Sequence, residues 1–294
     1  MFFSRNFMNV ETLLKQYIPS LNSETPELDS QLLLAHVIGR PRTWLLAHLD
    51  EPLTPPQIDL ANQAFTRLKT GEPLPYILGR WEFFGLDFDI TSDVLIPRPE
   101  TELLVEKAVH WLKASPHRRA VADVGTGSGV IAVSLAMQIP DLQVFATDVS
   151  HSALRVAKHN AEKFHVHQQI EFMECDLLPE SKSNVLRPNF RFSSFDLICA
   201  NLPYIPTETM HSLSIFGREP TLALDGGKDG LDPYRKLLNL APKWLAPNGI
   251  LLLEIEATQG MKALSLAYDN FSEASISLHQ DLAGHDRLLE IQFH

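Results

Sequence analysis

Little in this sequence invites a covalent staple or a metal. Its 294 residues include two cysteines, Cys175 and Cys199. They form no C-x-x-C pair, so neither a disulfide framework nor a metal site is expected, and both read as small apolar residues on or beside strands. No run approaches the ~18 apolar residues of a membrane span. Met1 to Val10 lacks the apolar core of a signal peptide, so a cytoplasmic chain with no membrane partner is expected. Positive charge is short as well, with 25 Lys+Arg against 36 Asp+Glu and a net charge of -11. The imbalance is uneven, because residues 1–80 carry 7 basic and 8 acidic side chains, and residues 81–294 carry 18 and 28. A body so acidic repels nucleic acid and gains little from counterion release. No direct nucleic-acid partner is expected, and a basic patch on a protein would suit it better. Internal repeats are absent too, and a monomer is expected.

What is present divides into three textures. Val10, Leu13, Leu14, Tyr17 and Ile18 repeat at helical spacing. Pro26-Glu27-Leu28 opens a second helix, whose Leu28, Leu32, Leu33, Ala35, His36 and Val37 share a stripe until Gly39. A short piece follows from Thr43 to Leu49, and Thr54-Pro55-Pro56 starts a helix that Gly71 ends. Residues 1–72 therefore read as a small helical domain with no chemistry of its own. Residues 73–98 read as a linker built on an aromatic hairpin, with Trp81, Phe83 and Phe84 as its core. A helix from Glu100 to Leu112 follows.

From Ala120 onward strands and helices alternate. Strands are expected at 120–124, 142–147, 169–174, 195–200, 249–255, 274–279 and 286–292, and helices at 128–138, 151–164, 231–245 and 258–267. That rhythm predicts an α/β fold, a mostly parallel seven-stranded sheet with helices on both faces. The last two strands, joined by Ala283-Gly284-His285, should form an antiparallel hairpin. Residues 180–194 are polar and unpatterned, and read as a surface loop.

The first strand runs into Asp123-Val124-Gly125-Thr126-Gly127-Ser128-Gly129. Glycine at every second position lets the backbone turn sharply and a ligand approach with no Cβ in the way. Open parallel sheets bind ligands off the carboxyl ends of their strands. The spacing is not the G-x-G-x-x-G of nicotinamide enzymes. The second strand ends at Asp148, which can accept hydrogen bonds from both ribose hydroxyls of a nucleoside. The third ends near Asp176, which can accept from an adenine amine, with Leu177 as an apolar wall. Each acid alone reads equally as a solvated loop residue, but in order at successive strand ends they indicate a nucleoside site.

The fourth strand ends in Asn201-Leu202-Pro203-Tyr204. Here the chain resembles a Class I (Rossmann-like) methyltransferase, in which Asn-Pro-Pro-Tyr grips a planar nitrogen nucleophile. More narrowly, it resembles the protein-(glutamine-N5) methyltransferase family that modifies peptide-chain release factors. The likeness includes the helical N-terminal domain, Val94 to Glu102, Asp123 to Gly129, Asn201 to Tyr204, Glu219-Pro220, Ala223 to Gly227 with Asp229-Gly230, and Leu253-Glu254-Ile255. It implies S-adenosyl-L-methionine as cofactor, bound by Asp123 to Gly129, Asp148, Asp176, Leu177 and Asn201, with residues 99–294 as the catalytic domain and 1–72 for substrate recognition. It also implies a glutamine side-chain amide as acceptor. The Asn201 side-chain oxygen and the residue 202 carbonyl would accept its two N–H hydrogens, orienting the nitrogen and favouring lone-pair localisation, while Tyr204 packs on the amide plane. No general base is required.

Leu202 departs from the family's proline. The carbonyl survives the change, and Pro203 still restrains residue 202 toward extended conformations. Pro97-Arg98-Pro99-Glu100-Thr101 is a good helix start, and in the resembled family it also lines the methionine end of the pocket. His211, Arg218 and Glu219 read either as site neighbours or as a solvated loop. A DNA adenine methyltransferase would use the same grip, but needs a basic surface or a recognition domain. A glutamine methyltransferase of a ribosomal protein, or a cofactor-binding protein disabled at Leu202, shares the motifs.

Overall fold

The computed structural model describes residues 8–180 and 193–294. Most of the polar stretch 180–194 lies outside the described residues. The chain separates into two compact units, Met1–Arg80 and Trp81–His294. Of the segment 73–98, residues up to Arg80 belong to the first unit and the rest to the second.

The first unit is helical: α1 (Val10–Tyr17), α2 (Pro26–Ile38), α3 (Arg42–Ala47), α4 (Pro55–Lys69) and α5 (Leu74–Leu78). Asn9 caps α1 by accepting from the Thr12 N–H at 2.9 Å. Gly39, in the left-handed region, ends α2. Leu13, Leu33, Leu34, Leu45 and Phe65 are fully buried at its centre, joined by Leu74 and Ile77 of α5. The apolar stripe of α2 differs from its sequence pattern. Leu28 is exposed, whereas Ser30 and Gln31 are buried. Both polar side chains are paired there, Ser30 to the Pro26 carbonyl at 2.7 Å and Gln31 to Arg42 at 2.8 Å, which makes their burial tolerable.

A hairpin of β1 (Arg80–Phe83) and β2 (Leu86–Asp89) follows, all but its first residue in the second unit. Its two-residue turn needs positive φ at both positions, and Phe84 and Gly85 adopt 53° and 72°. Phenylalanine is an unusual residue for that region; its N–H is held by the Glu102 carboxylate at 2.8 Å. After α6 (Thr101–Lys113) come β3 (Ala120–Val124), α7 (Val130–Gln138), β4 (Gln143–Asp148), α8 (His151–Lys163), β5 (Ile170–Glu174) and β6 (Phe195–Ala200). The chain continues through α9 (Thr207–Met210), α10 (Asp232–Leu240), β7 (Leu245–Glu254), α11 (Gly260–Asn270), β8 (Ser275–Gln280) and β9 (Asp286–Gln292).

These seven strands form one sheet in the order β5-β4-β3-β6-β7-β9-β8. β3 to β7 pair in parallel, and β9 runs antiparallel to both β7 and β8. Two boundaries differ from the sequence pattern by four residues or more. α10 stops at Leu240, and Ala241–Lys243 tightens into a 3-10 turn containing Pro242. β7 starts four residues earlier than its apolar run, because Leu245 pairs with Phe195 before the register shifts to Leu197 against Ile250.

The order reverses at β3, the position where open α/β sheets hold ligands. Register gathers the site there. Val124 pairs with both Thr147 and Ala200. The residues that follow, Gly125, Asp148 and Asn201, thus leave three adjacent strands at one level.

Candidate active site

The glycine turn is shaped by its neighbour strand. The N–H groups of Gly125 and Thr126 both donate to the Thr147 carbonyl, at 2.9 and 2.8 Å. Asp148 accepts from the Gly127 N–H at 2.9 Å and, through its other oxygen, from the Ser150 N–H at 2.8 Å. Burial pushes its carboxyl above the usual range against the pull of those donors. Asp123 lies beneath the turn, fully buried. One oxygen accepts from the Thr126 hydroxyl at 2.7 Å and the Ala132 N–H at 3.1 Å. The other has no partner among the described residues, and burial pushes the carboxyl up to about 7. Asn160 of α8, buried, ties the turn to the hairpin by donating to the carbonyls of Ser128 and Asp89.

The segment after β6 is held from several sides. The Asn201 Nδ2 donates to the Thr101 hydroxyl at 3.0 Å. The Leu202 side chain is buried, and its Cδ2 lies 3.2 Å from where a Cβ on Gly125 would stand. Tyr234 of α10 places its hydroxyl 3.2 Å from the Leu202 carbonyl oxygen. The Tyr204 carbonyl accepts from Gln259 Nε2 at 2.9 Å. Burial pushes the Tyr204 phenol up to about 12, with the nearby Glu254 charge adding to it. Ile205 to Thr207 then pairs with Leu224 to Gly227. A Cβ on Gly226 would come within 2.8 Å of the Tyr204 backbone, so only glycine lets these two segments meet.

Glu219 is no solvated loop residue. Its side chain is almost wholly buried and accepts from the Ile96 N–H at 3.0 Å and from Arg98 Nη2 at 2.5 Å. It thereby clamps the segment 96–98 beside the strand ends.

These elements enclose a cavity of about 400 Å³. Of the residues singled out from sequence, Gly125, Thr126, Gly127, Ser128, Asp148, Asp176, Leu177, Asn201, Leu202 and Pro203 line it together. Asp123, Gly129 and Tyr204 do not. Gly129 instead packs against Ala157 of α8, where a Cβ would stand 3.1 Å away. Asp176 is mostly exposed, with Lys236 at 3.9 Å. Leu177 adopts a φ of 62°, held by the Thr147 hydroxyl donating to its carbonyl at 2.6 Å. Spacing did not point to Thr101, Tyr234 or Gln259. Their partners in the motif lie 100, 32 and 55 positions away, beyond the reach of any local pattern.

The chain is similar to known proteins along most of its length. The PrmC N-terminal domain family matches residues 12–79, and the methyltransferase small domain family matches residues 99–211. The release factor glutamine methyltransferase of Moorella thermoacetica is 41% identical over 265 residues, covering 90% of each chain. That of Geobacter sulfurreducens is 38% identical over 93% of this chain and 92% of the relative. That of Bordetella pertussis is 39% identical over 94% and 98%. Among solved structures, the hMettl16 catalytic domain in complex with MAT2A 3'UTR hairpin 6 aligns with a TM-score of 0.53, over 82% of this chain and 83% of that one. At 15% identity that likeness concerns the fold alone. The fold, the strand-end cavity and these relatives together identify an S-adenosylmethionine-dependent methyltransferase, and the chain belongs to the family of release factor glutamine methyltransferases.

Proposed function

We propose that this enzyme methylates the side-chain nitrogen, N5, of the glutamine in the Gly-Gly-Gln motif of a peptide-chain release factor. One observation carries the reading. Asn201 commits its nitrogen to Thr101, so its oxygen is the end left for a ligand, and the Leu202 carbonyl follows it in the chain. Two acceptors in succession suit the two hydrogens of a primary amide.

The cavity's chemistry also fits the cofactor. Asp148 presents a carboxylate to ribose hydroxyls, Asp176 and Leu177 suit an adenine edge and face, and the Gly127 turn offers a backbone with nothing within 4 Å of its Cβ direction. S-adenosylmethionine held there would supply an electrophilic methyl group for the amide nitrogen.

The remaining work falls to this chain. An amide nitrogen is a poor nucleophile because its lone pair is delocalised into the carbonyl. The Asn201 oxygen and the Leu202 carbonyl orient that nitrogen and stabilise the positive charge it gains, and both interactions strengthen only as the reaction proceeds. The surplus proton departs after transfer. Leucine at 202 keeps the acceptor, which is backbone. The helical unit of residues 1–80 has no part in this chemistry and serves to recognise the protein substrate.

Incubation with whole release factor, with mass spectrometry locating the methyl, tests the reading. A single methyl on the Gly-Gly-Gln glutamine is expected. A methyl elsewhere, or on a ribosomal protein and not on the release factor, overturns it.

A further inference from the structure

The Leu202 carbonyl is held by a side chain that lies outside the acceptor motif. Tyr234 stands in the first turn of α10 and is 1% exposed. Its hydroxyl oxygen lies 2.5 Å from the carbonyl oxygen of Glu254, at the end of β7, and 3.2 Å from that of Leu202. A phenol has one proton to give to two carbonyls. An O–H···O bond has its usual length near 2.7–2.8 Å and weakens as it lengthens, so the proton belongs to the Glu254 contact. The Leu202 carbonyl then faces an oxygen without receiving a full hydrogen bond from it. No other donor to this carbonyl occurs among the described residues. A buried carbonyl ordinarily has its donor. Leu202 is one of the residues lining the cavity, and its carbonyl has acceptor capacity to spare.

We infer that Tyr234 is a positioning residue for methyl transfer: its hydroxyl, anchored on the Glu254 carbonyl, fixes the Leu202 carbonyl while leaving that oxygen's acceptor strength to the substrate amide. The inference rests on the proposed role of the Leu202 carbonyl as one of two amide acceptors. A phenol wedged between two carbonyl oxygens sets their separation. Without its proton they would repel, and the peptide plane after residue 202 would turn. Misplacement of an acceptor by a fraction of an ångström is enough to lower turnover without changing what is bound. Glu254 serves here through its backbone, so the state of its side chain does not enter.

Tyr234→Phe removes one oxygen and keeps the ring in its packing. With whole release factor as substrate, turnover should fall at least ~10-fold, with cofactor affinity and the KM for release factor changing by less than about 3-fold. Combined with Asn201→Ala, the losses should be less than multiplicative, because both act on the same amide group. A second variant separates positioning from simple cohesion and serves if Tyr234→Phe fails to fold. p-Aminophenylalanine at 234 has two protons and donates to both carbonyls, so it should fold well and still be slow, because a full hydrogen bond from the amine weakens the Leu202 oxygen as an acceptor for the substrate. Full turnover in either folded variant, or a loss appearing only as weaker cofactor binding, overturns the inference. Absence of glutamine methylation by the wild-type enzyme would instead overturn the functional reading and this inference with it.

Discussion

Asn201 carries one amide with two ends, and among the described residues only its nitrogen is engaged, by the Thr101 hydroxyl. If its oxygen holds the substrate amide as proposed, truncation to alanine should lower turnover by at least ~100-fold, with cofactor affinity nearly unchanged, because that contact matures in the transition state. Steady-state kinetics on release factor, with calorimetry for the cofactor, would check both halves. Leu202→Pro should retain turnover within about 10-fold, since the carbonyl survives, but lower stability by about 1–3 kcal/mol as a buried leucine side chain is cut back. Glu254 presents a different residue-scale problem. It is 1% exposed and neither carboxylate oxygen has a hydrogen-bond partner among the described residues. Burial pushes it from 4.5 up to about 7, against the pull of the Arg287 charge. The folded state thus holds a proton that the unfolded chain releases between these values. Stability present below 4.5 is lost as pH rises through about 7. Glu254→Gln should match wild type at pH 4 and exceed it at pH 8 by roughly 2–4 kcal/mol in the cofactor-free protein. Denaturant melts at both pH values would show it, and parallel curves would sink the idea.

At the scale of elements, the site is an accident of neither strand nor loop alone. Register sets Gly125, Asp148 and Asn201 level, and the segment 224–230 then closes on the backbone of Tyr204. The closeness at Gly226 is testable. An alanine Cβ would lie 2.8 Å from Tyr204 and Gly230 atoms, all backbone, so something must shift. Gly226→Ala should cost about 1–3 kcal/mol in stability and slow turnover through Tyr204, leaving the glycine turn and cofactor affinity intact. A thermal melt together with activity would reveal both effects. This contrast also explains what the sequence made legible. Strands 120–124 and 195–200 announce themselves as apolar runs, and the glycine turn and the Asn201 motif are contiguous in the chain, so their chemistry reads directly. Glu219 did not, because a buried clamp and a solvated acid look alike until Ile96 and Arg98, more than a hundred positions away, are brought to it. The early start of β7 was hidden for a related reason: Leu245 joins the sheet through a register shift that no periodicity encodes.

At the scale of the whole molecule, the chain forms two units with separate cores. The first unit buries Leu33, Leu34, Leu45 and Phe65 in one core, and the second gathers Trp244, Tyr234 and Phe195 in another. Every residue lining the cavity lies beyond Arg80. A chain beginning at Trp81 should therefore fold and bind the cofactor within about 3-fold of the full protein, since no ligand contact has been removed. Methylation of intact release factor is another matter. A macromolecular acceptor delivers one glutamine to the acceptor pair only if contacts remote from that glutamine hold it there, and remote binding is what supports turnover at the reacting centre. On the proposed reading the helical unit supplies such contacts. Its removal should lower kcat/KM for whole release factor by at least ~100-fold, whereas the rate on a short Gly-Gly-Gln peptide, already poor, should fall less than about 3-fold. Parallel assays of the full and shortened chains on both substrates decide it. Equal loss on protein and peptide would mean that the helical unit stabilises the catalytic one, and equal turnover of intact release factor by both chains would remove it from recognition altogether.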